Sequence, residues 1–371
     1  MSKIKLLLLK VAIFVLKLIY SVIKLFPTKN KITLISRQSN TPSIDFDMIS
    51  KEIKKRYSNY EVIVLAKTLD NKIKYIFHMF RQMYHIATSK VVILDSYCIV
   101  ISVLKHKSKL KVIQIWHAVG SMKKFGYAML DKKEGSDSKL AEIMRMHKNY
   151  DYILISSMNF IKDYEEGFHC NKNQVLEIPL PRVDLWLDKK YINKKRKEIL
   201  KKNPELKHKK NILYCGTFRK NTTNSIEHIR KLVDCIDFKK YNLMYKPHPL
   251  SKLKVDDNRI IQNFSNTYEA LMVADYVICD YSSIIYEVGL FKLPIYLYAY
   301  DWDEYKTQRE LNFDIEKEVP TLFTKDPKKI IDAIENNDFD YKAYQKFVDK
   351  NIHVPKGGCL NKLMELLDEL L

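Results

Sequence analysis

A chain of 371 residues is longer than one ordinary hydrophobic core organises, so two domains are expected. Its 46% hydrophobic and 12% aromatic content excludes a disordered polymer. A formal charge of +20 calls for an anionic counterpart: membrane phospholipid, nucleic acid or a phosphorylated substrate.

The first 44 residues carry eight basic and no acidic side chains. Leu6 to Phe26 is strongly apolar, but Lys3, Lys10, Lys17 and Lys24 recur at seven-residue spacing, which a helix places nearly on one line. A spanning helix would bury Lys10 or Lys17 near the bilayer centre, and a secretory signal would need an unbroken apolar region with a small-residue cleavage site. Residues 1–28 are therefore expected to form an amphipathic helix lying on an anionic membrane surface.

From Lys31 onward strands and helices alternate. ITLISR, EVIVLA, VVILDS, KVIQIW, YILISS and VLEIPL read as short buried strands, with helical stretches such as Asn71 to Thr88 between most of them. The Lys- and Arg-rich run from Asp188 to Lys210 reads as a domain junction. A second alternation follows, with NILYCG, YNLMYK, RIIQNF, YVICDY and PIYLYA as strands and helices near Ile226, Tyr268, Ile284 and Lys329. The expected layout is residues 29–188 and 189–371 as two α/β, Rossmann-like halves, with a ligand at the carboxyl ends of both sheets. Cys98, Cys170, Cys215, Cys235, Cys279 and Cys359 have neither zinc nor disulfide spacing, and read as reduced residues of a cytoplasmic protein.

Post-strand turns concentrate the residues able to do chemistry. In QIWHAVGSMKKFG, His117 stands just past a strand, where an imidazole works near neutral pH, and Lys123 and Lys124 can neutralise phosphate. In YKPHP, two prolines hold His248 at a fixed angle beside Lys246. In CGTFRK, Gly216 opens a turn, Thr217 offers a hydroxyl and Arg219 suits bidentate phosphate binding. In DYVICDYSSIIYEVG, strand, polar turn and helix bring Asp280, Ser282 and Ser283 to a point that favours phosphate. Each turn also has a purely structural reading, as a capped or backbone-bonded loop. GxGxxG, GxxxxGK[ST] and GxSxG are all missing, so dinucleotide, P-loop and lipase-type chemistry lack support. The acidic residues at metal-like spacing, Asp301, Asp303 and Glu304, read more simply as a polar loop, and no metal is expected. Zinc spacing, RNP-like runs and basic helix-turn-helix patterns are missing too, so no nucleic-acid partner is expected.

WHAVGSMKKFG, YCGTFRK, KPHP and DYVICDYSSIIYEVGLFKLPIYLYAYDWDEY resemble the CDP-glycerol glycerophosphotransferase family, the teichoic-acid primases and polymerases with their ribitol-phosphate relatives. The resemblance covers roughly residues 30 to 345 and extends to PRVD at Pro181 to Asp184 and to ISSMNFIKDYEEGF. It implies a GT-B-like pair of Rossmann-like domains on the cytoplasmic face of the cell membrane, peripheral or monotopic. Such enzymes move glycerol phosphate or ribitol phosphate from a CDP-polyol to a polyprenyl-diphosphate-linked acceptor and release CMP, without a cofactor. By that likeness His117 is the general base and His248 a second catalytic histidine near the donor diphosphate. Thr217, Arg219, Lys246, Asp280, Ser282 and Ser283 fall on the donor side, and Lys123, Lys124 and Arg182 on acceptor phosphate. The chain departs from the family at Gly216 and Leu180, where proline and glycine are usual. A GT-B glycosyltransferase using a nucleotide sugar is the alternative activity, and self-association is left open.

Overall fold

The computed structural model describes residues 3–219, 223–247, 251 and 255–371. It divides into two compact units, residues 1–184 with 353–371, and residues 185–352.

The first unit holds a six-stranded parallel sheet of β1 (Lys31–Ser36), β2 (Glu61–Ala66), β3 (Val91–Leu94), β4 (Lys111–Gln114), β5 (Tyr152–Ile155) and β6 (Val175–Glu177), in the order β2-β1-β3-β4-β5-β6. Its central strands are buried on both faces, which is why they read as unbroken Val and Ile runs. Helix α1 (Lys3–Ile23) precedes the sheet, α2 (Ile44–Arg56) follows β1, and α3 (Lys72–Thr88) follows β2. Ser43 caps α2 through Phe46 N–H, and Asn71 caps α3 through Lys74 N–H, the expected chemistry for donors without a helical partner. Phe46, Ile49 and Ile53 of α2, with Met83 and Ile86 of α3, present the buried stripes of these two helices.

The second unit repeats the scheme with β7 (Lys210–Cys215), β8 (Tyr241–Tyr245), β9 (Ile260–Ile261), β10 (Tyr276–Cys279), β11 (Ile295–Tyr298) and β12 (Phe323–Thr324), all parallel, in the order β12-β11-β10-β7-β8-β9. Ile212, Leu243, Ile278 and Tyr296 meet Ile229 and Leu232 of one helix and Ile330 and Ile334 of another in its core. β12 is the strand that periodicity missed, since two half-buried residues carry no pattern.

The sequence reading runs the second half to Leu371, whereas residues 353–371 pack on the first unit. Asp184 of PRVD is the reason. Its carboxylate accepts the backbone N–H groups of Cys359 (2.8 Å) and Leu360 (2.9 Å), capping the last helix, Cys359–Leu370, from another part of the chain. Gly358 makes the approach feasible: it lies at φ +97°, and a Cβ there would stand 3.1 Å from the Asp184 carboxylate. Tyr57 at the end of α2 adds a 2.6 Å hydrogen bond to Asp368.

Candidate active site

In the first unit the site is built where β3 and β4 end. Trp116 sits in the left-handed region (φ +57°), an uncommon conformation for a bulky residue. Its N–H donates to Gln114 Oε1 (3.0 Å), while Gln114 Nε2 donates to the Ser96 carbonyl (3.2 Å). The indole stacks on Phe125 (5.0 Å, 28°) and meets Phe168 edge-on. Gly126 (φ +56°) and Gly167 allow this packing: a Cβ on the first would meet the Gly167 carbonyl, and one on the second the Phe125 ring. The WHAVGSMKKFG and NFIKDYEEGF segments are thus halves of one aromatic cluster.

That cluster presents His117. Its Nδ1 lies 3.1 Å from the Asp95 carbonyl, which can only accept, so Nδ1 carries the proton and Nε2 keeps a lone pair. Gln38 Nε2 stands 3.3 Å from the same nitrogen and, being a donor as well, makes no hydrogen bond to it in this tautomer. Desolvation by surrounding protein lowers the His117 pKa to about 4, against the Asp95 hydrogen bond and helped by the Arg182 charge. The side chain is nonetheless exposed, so a hydroxyl reaches a ring that stays neutral at physiological pH.

Arg182, expected on acceptor phosphate, is 5% exposed and faces inward. Its guanidinium donates to Asp45 Oδ2 (2.5 Å) and to the His117 carbonyl (3.1 Å), while its backbone N–H donates to Asp45 Oδ1 (2.9 Å). It therefore braces the histidine turn against α2. Lys123 and Lys124 lie half-buried in the same loop. Asp163, near Lys124, is pushed up to about 6 by burial, with the Ser121 hydroxyl opposing.

In the second unit β7 and β10 are neighbours, and Cys215 pairs with Cys279, so the turns that follow lie side by side. Asp280, fully buried, accepts from Thr217 N–H (2.8 Å), Thr217 Oγ1 (2.5 Å) and Arg219 (2.8 Å). Arg219 also grips Asp301 with two hydrogen bonds (2.6 and 3.0 Å), and the rings of Tyr281, Tyr300 and Tyr305 surround its guanidinium. Burial works against its charge, but Asp280 and Asp301 outweigh that and hold it protonated. The structure thus joins Thr217, Arg219 and Asp280, but turns the arginine fork onto carboxylates. Lys246 donates to the Phe264 carbonyl (2.8 Å). Ser282 accepts weakly from Ile284 N–H (3.4 Å), and Ser283 starts the helix Ile284–Leu290 without a side-chain cap bond. His248 lies outside the described residues.

Asp45, Asp95 and Asp301 were missed as site residues by sequence reasoning. Two carried a usable signal, because Asp95 directly follows β3 as Asp280 follows β10, and Asp301 stands three residues past β11. Asp45 had none beyond its place in the first turn of α2. Among the described residues no group of three or more His, Cys, Asp or Glu is placed to hold a metal ion.

Comparison with known proteins decides the family. The family described as CDP-Glycerol:Poly(glycerophosphate) glycerophosphotransferase matches residues 18–368. The chain belongs to this family. The teichoic acid ribitol-phosphate primase of Bacillus spizizenii is 28% identical over 358 residues, covering 92% of each chain. The glycerol-phosphate primase of Bacillus subtilis is 28% identical over 302 residues, 79% of this chain and 77% of the relative. The ribitol-phosphate polymerase TarL of Staphylococcus aureus is 26% identical over 371 residues, of which this chain spans 65% of the relative's length. Among solved structures, the wall teichoic acid polymerase TagF superposes with a TM-score of 0.77 at 18% identity, covering 100% and 98% of the two chains. The UDP-GlcNAc 2-epimerase of Neisseria meningitidis follows at 0.58 and 11%, covering 91% and 99%. Both likenesses concern the fold, two GT-B-like α/β units. This member of the glycerophosphotransferase family is a polyol-phosphate transferase of teichoic acid biosynthesis.

Proposed function

We propose that the chain transfers ribitol phosphate or glycerol phosphate from its CDP-linked form to the hydroxyl of a lipid-linked acceptor, with His117 as general base. The observation that carries this reading is the His117 ring, pinned through Nδ1–H to the Asp95 carbonyl with Nε2 left to accept a proton. Nε2 takes the acceptor hydroxyl's proton, and the resulting oxygen attacks the distal phosphorus. The bond from that phosphorus to the bridging oxygen breaks, and CMP leaves with the electron pair. Positioning and fixed dipoles supply most of the stabilisation in such a transfer. The donor side falls to Ser282, Ser283 and the Thr217–Asp280 turn, with His248 and Lys246 near the diphosphate. The locked Arg219 shapes that turn, and Lys123 and Lys124 meet acceptor phosphate. CDP-ribitol is the first donor to try, because the ribitol-phosphate primase matches this chain nearly end to end. The test is incubation with each CDP-polyol and a synthetic lipid-linked acceptor, with added units counted by mass. CMP and a polyol-phosphate adduct are expected; nucleoside diphosphate released from a sugar nucleotide instead would overturn the reading.

Helix α1 carries the membrane part of the proposal. Ile4–Ile23 is long and apolar enough to cross a bilayer by length and composition, and most of it is exposed. Leu7, Leu8, Val11, Phe14, Leu18 and Val22 face outward, while Ile13 is buried and Tyr20 hydrogen-bonds His106 (2.8 Å). α1 packs along α3, whose exposed Ile73, Ile76 and Phe77 add to the apolar surface. A helix docked on its own domain by one side suits the interface better than a span, with Lys10 and Lys17 at headgroup level. The cytoplasmic face is proposed because all six cysteines are free. Removing residues 1–28 should release the protein from vesicles of anionic phospholipid; continued co-sedimentation would put the contact elsewhere.

A further inference from the structure

The basic run from Asp188 to Lys210, which reads in sequence as a domain junction, is mostly one helix, Lys189–Lys202, with eight basic residues against one acidic. It packs in the second unit on the helix Thr267–Val273. Ile199 is its buried residue, and Arg196 donates inward to the Met272 carbonyl (3.1 Å). On the opposite side Lys190, Lys194, Lys197 and Lys201, spaced by four, three and four residues, form one exposed stripe. None of these four ammonium groups has an ion pair or hydrogen bond among the described residues.

That arrangement works against the helix. Like charges three or four residues apart repel, and Lys189 and Lys190 stand at the positive end of the helix dipole. Other helices of the chain pair such cations: Arg56 with Glu52, Lys231 with Glu227, Lys328 with Asp332 and Lys362 with Glu365. Even here Lys195 holds Glu198 (2.7 Å), but off the stripe. A row of cations left unmatched at a local cost marks a surface that meets an anion. No large apolar side chain of this helix is exposed beside the row, unlike α1, so the surface works by charge and not by insertion into a bilayer. Its cations recur every 4.5–6 Å or so, at about 1.5 Å of helix axis per residue. A flexible chain with one phosphodiester per unit can lay successive charges on such a row. We infer that the stripe docks the polyol-phosphate chain carried by the acceptor, holding units already added while another is joined. This rests on the transfer reaction proposed above, although binding of the chain can be measured without turnover.

The test is the full chain carrying Lys190→Gln, Lys194→Gln, Lys197→Gln and Lys201→Gln together, changes that keep side-chain length and helix propensity. Lipid-free poly(ribitol phosphate) should bind the wild type with a slope of log K against log salt steeper by about 3 than the variant, as four phosphate contacts on a flexible strand give. In turnover, a long-chain acceptor should show a KM about tenfold or more below that of a single-unit acceptor in the wild type. The variant should lose that gain and keep kcat, KM for CDP-polyol and melting temperature. An equal slope with an equal gain in the variant would overturn the inference. So would loss of binding to phosphatidylglycerol vesicles with chain binding intact, or tighter retention of single-stranded DNA than of the chain by the same four lysines. Stripe-dependent chain binding by a protein with no transferase activity would overturn the proposed reaction and leave the docking surface standing.

Discussion

His117→Ala should reduce turnover by about 10²–10⁴-fold, the usual contribution of a positioned general base, while CDP-polyol binding stays measurable. The expectation follows from geometry. Nδ1–H is committed to the Asp95 carbonyl, so Nε2 is the one ring atom able to receive the acceptor's proton. The pH dependence adds a check whose sign is fixed. Surrounding protein disfavours the imidazolium and lowers the pKa from an ordinary 6.5 to about 4. The free enzyme's kcat/KM should therefore be level through the neutral range and fall only as pH drops toward that value. An acid limb near the ordinary histidine pKa would show that the ring is less desolvated than this, and wild-type turnover from the alanine variant would remove His117 from the role.

Arg182→Ala carries the largest expected cost in stability, about 3–5 kcal/mol, typical of a buried ion pair stripped of one partner. Asp45 would remain buried in the first turn of α2 with its countercharge gone, and the carbonyl of His117 would lose its guanidinium donor. Pairing the change with Asp45→Leu should recover much of the stability, since the uncompensated charge disappears, but not the activity, since the turn stays unbraced. Chemical denaturation of both variants decides it. A single variant within about 1 kcal/mol of wild type would show that the pair contributes little, as exposed pairs do.

Those arginines show where sequence reasoning stops. Arg219 reads as a phosphate ligand from the turn that follows its strand, and the family likeness puts Arg182 on acceptor phosphate. An arginine looks the same in sequence whether its fork is empty or already matched. Asp301 is 82 positions from Arg219, and Asp45 is 137 from Arg182. No local pattern connects such pairs. PRVD is a second example, because its two charged residues turn inward, Arg182 to the His117 turn and Asp184 to the last helix.

What the sequence determined by itself is what short range controls. Short apolar runs set eleven of the twelve described strands, Asn71 marks a helix start, and the post-strand turns carry the polar residues. The motifs that identify the family are local in the same sense. Tertiary structure alone decided which of those polar residues face outward. Asp280 draws Thr217 and Arg219 together because β7 and β10 are neighbours in space, not in sequence. Asp95 meets His117 because β3 lies beside β4. In a parallel sheet every strand end is brought to a common edge by a crossover, so partners on that edge are distant along the chain. Their pairing is a property of strand order, which residue spacing does not encode.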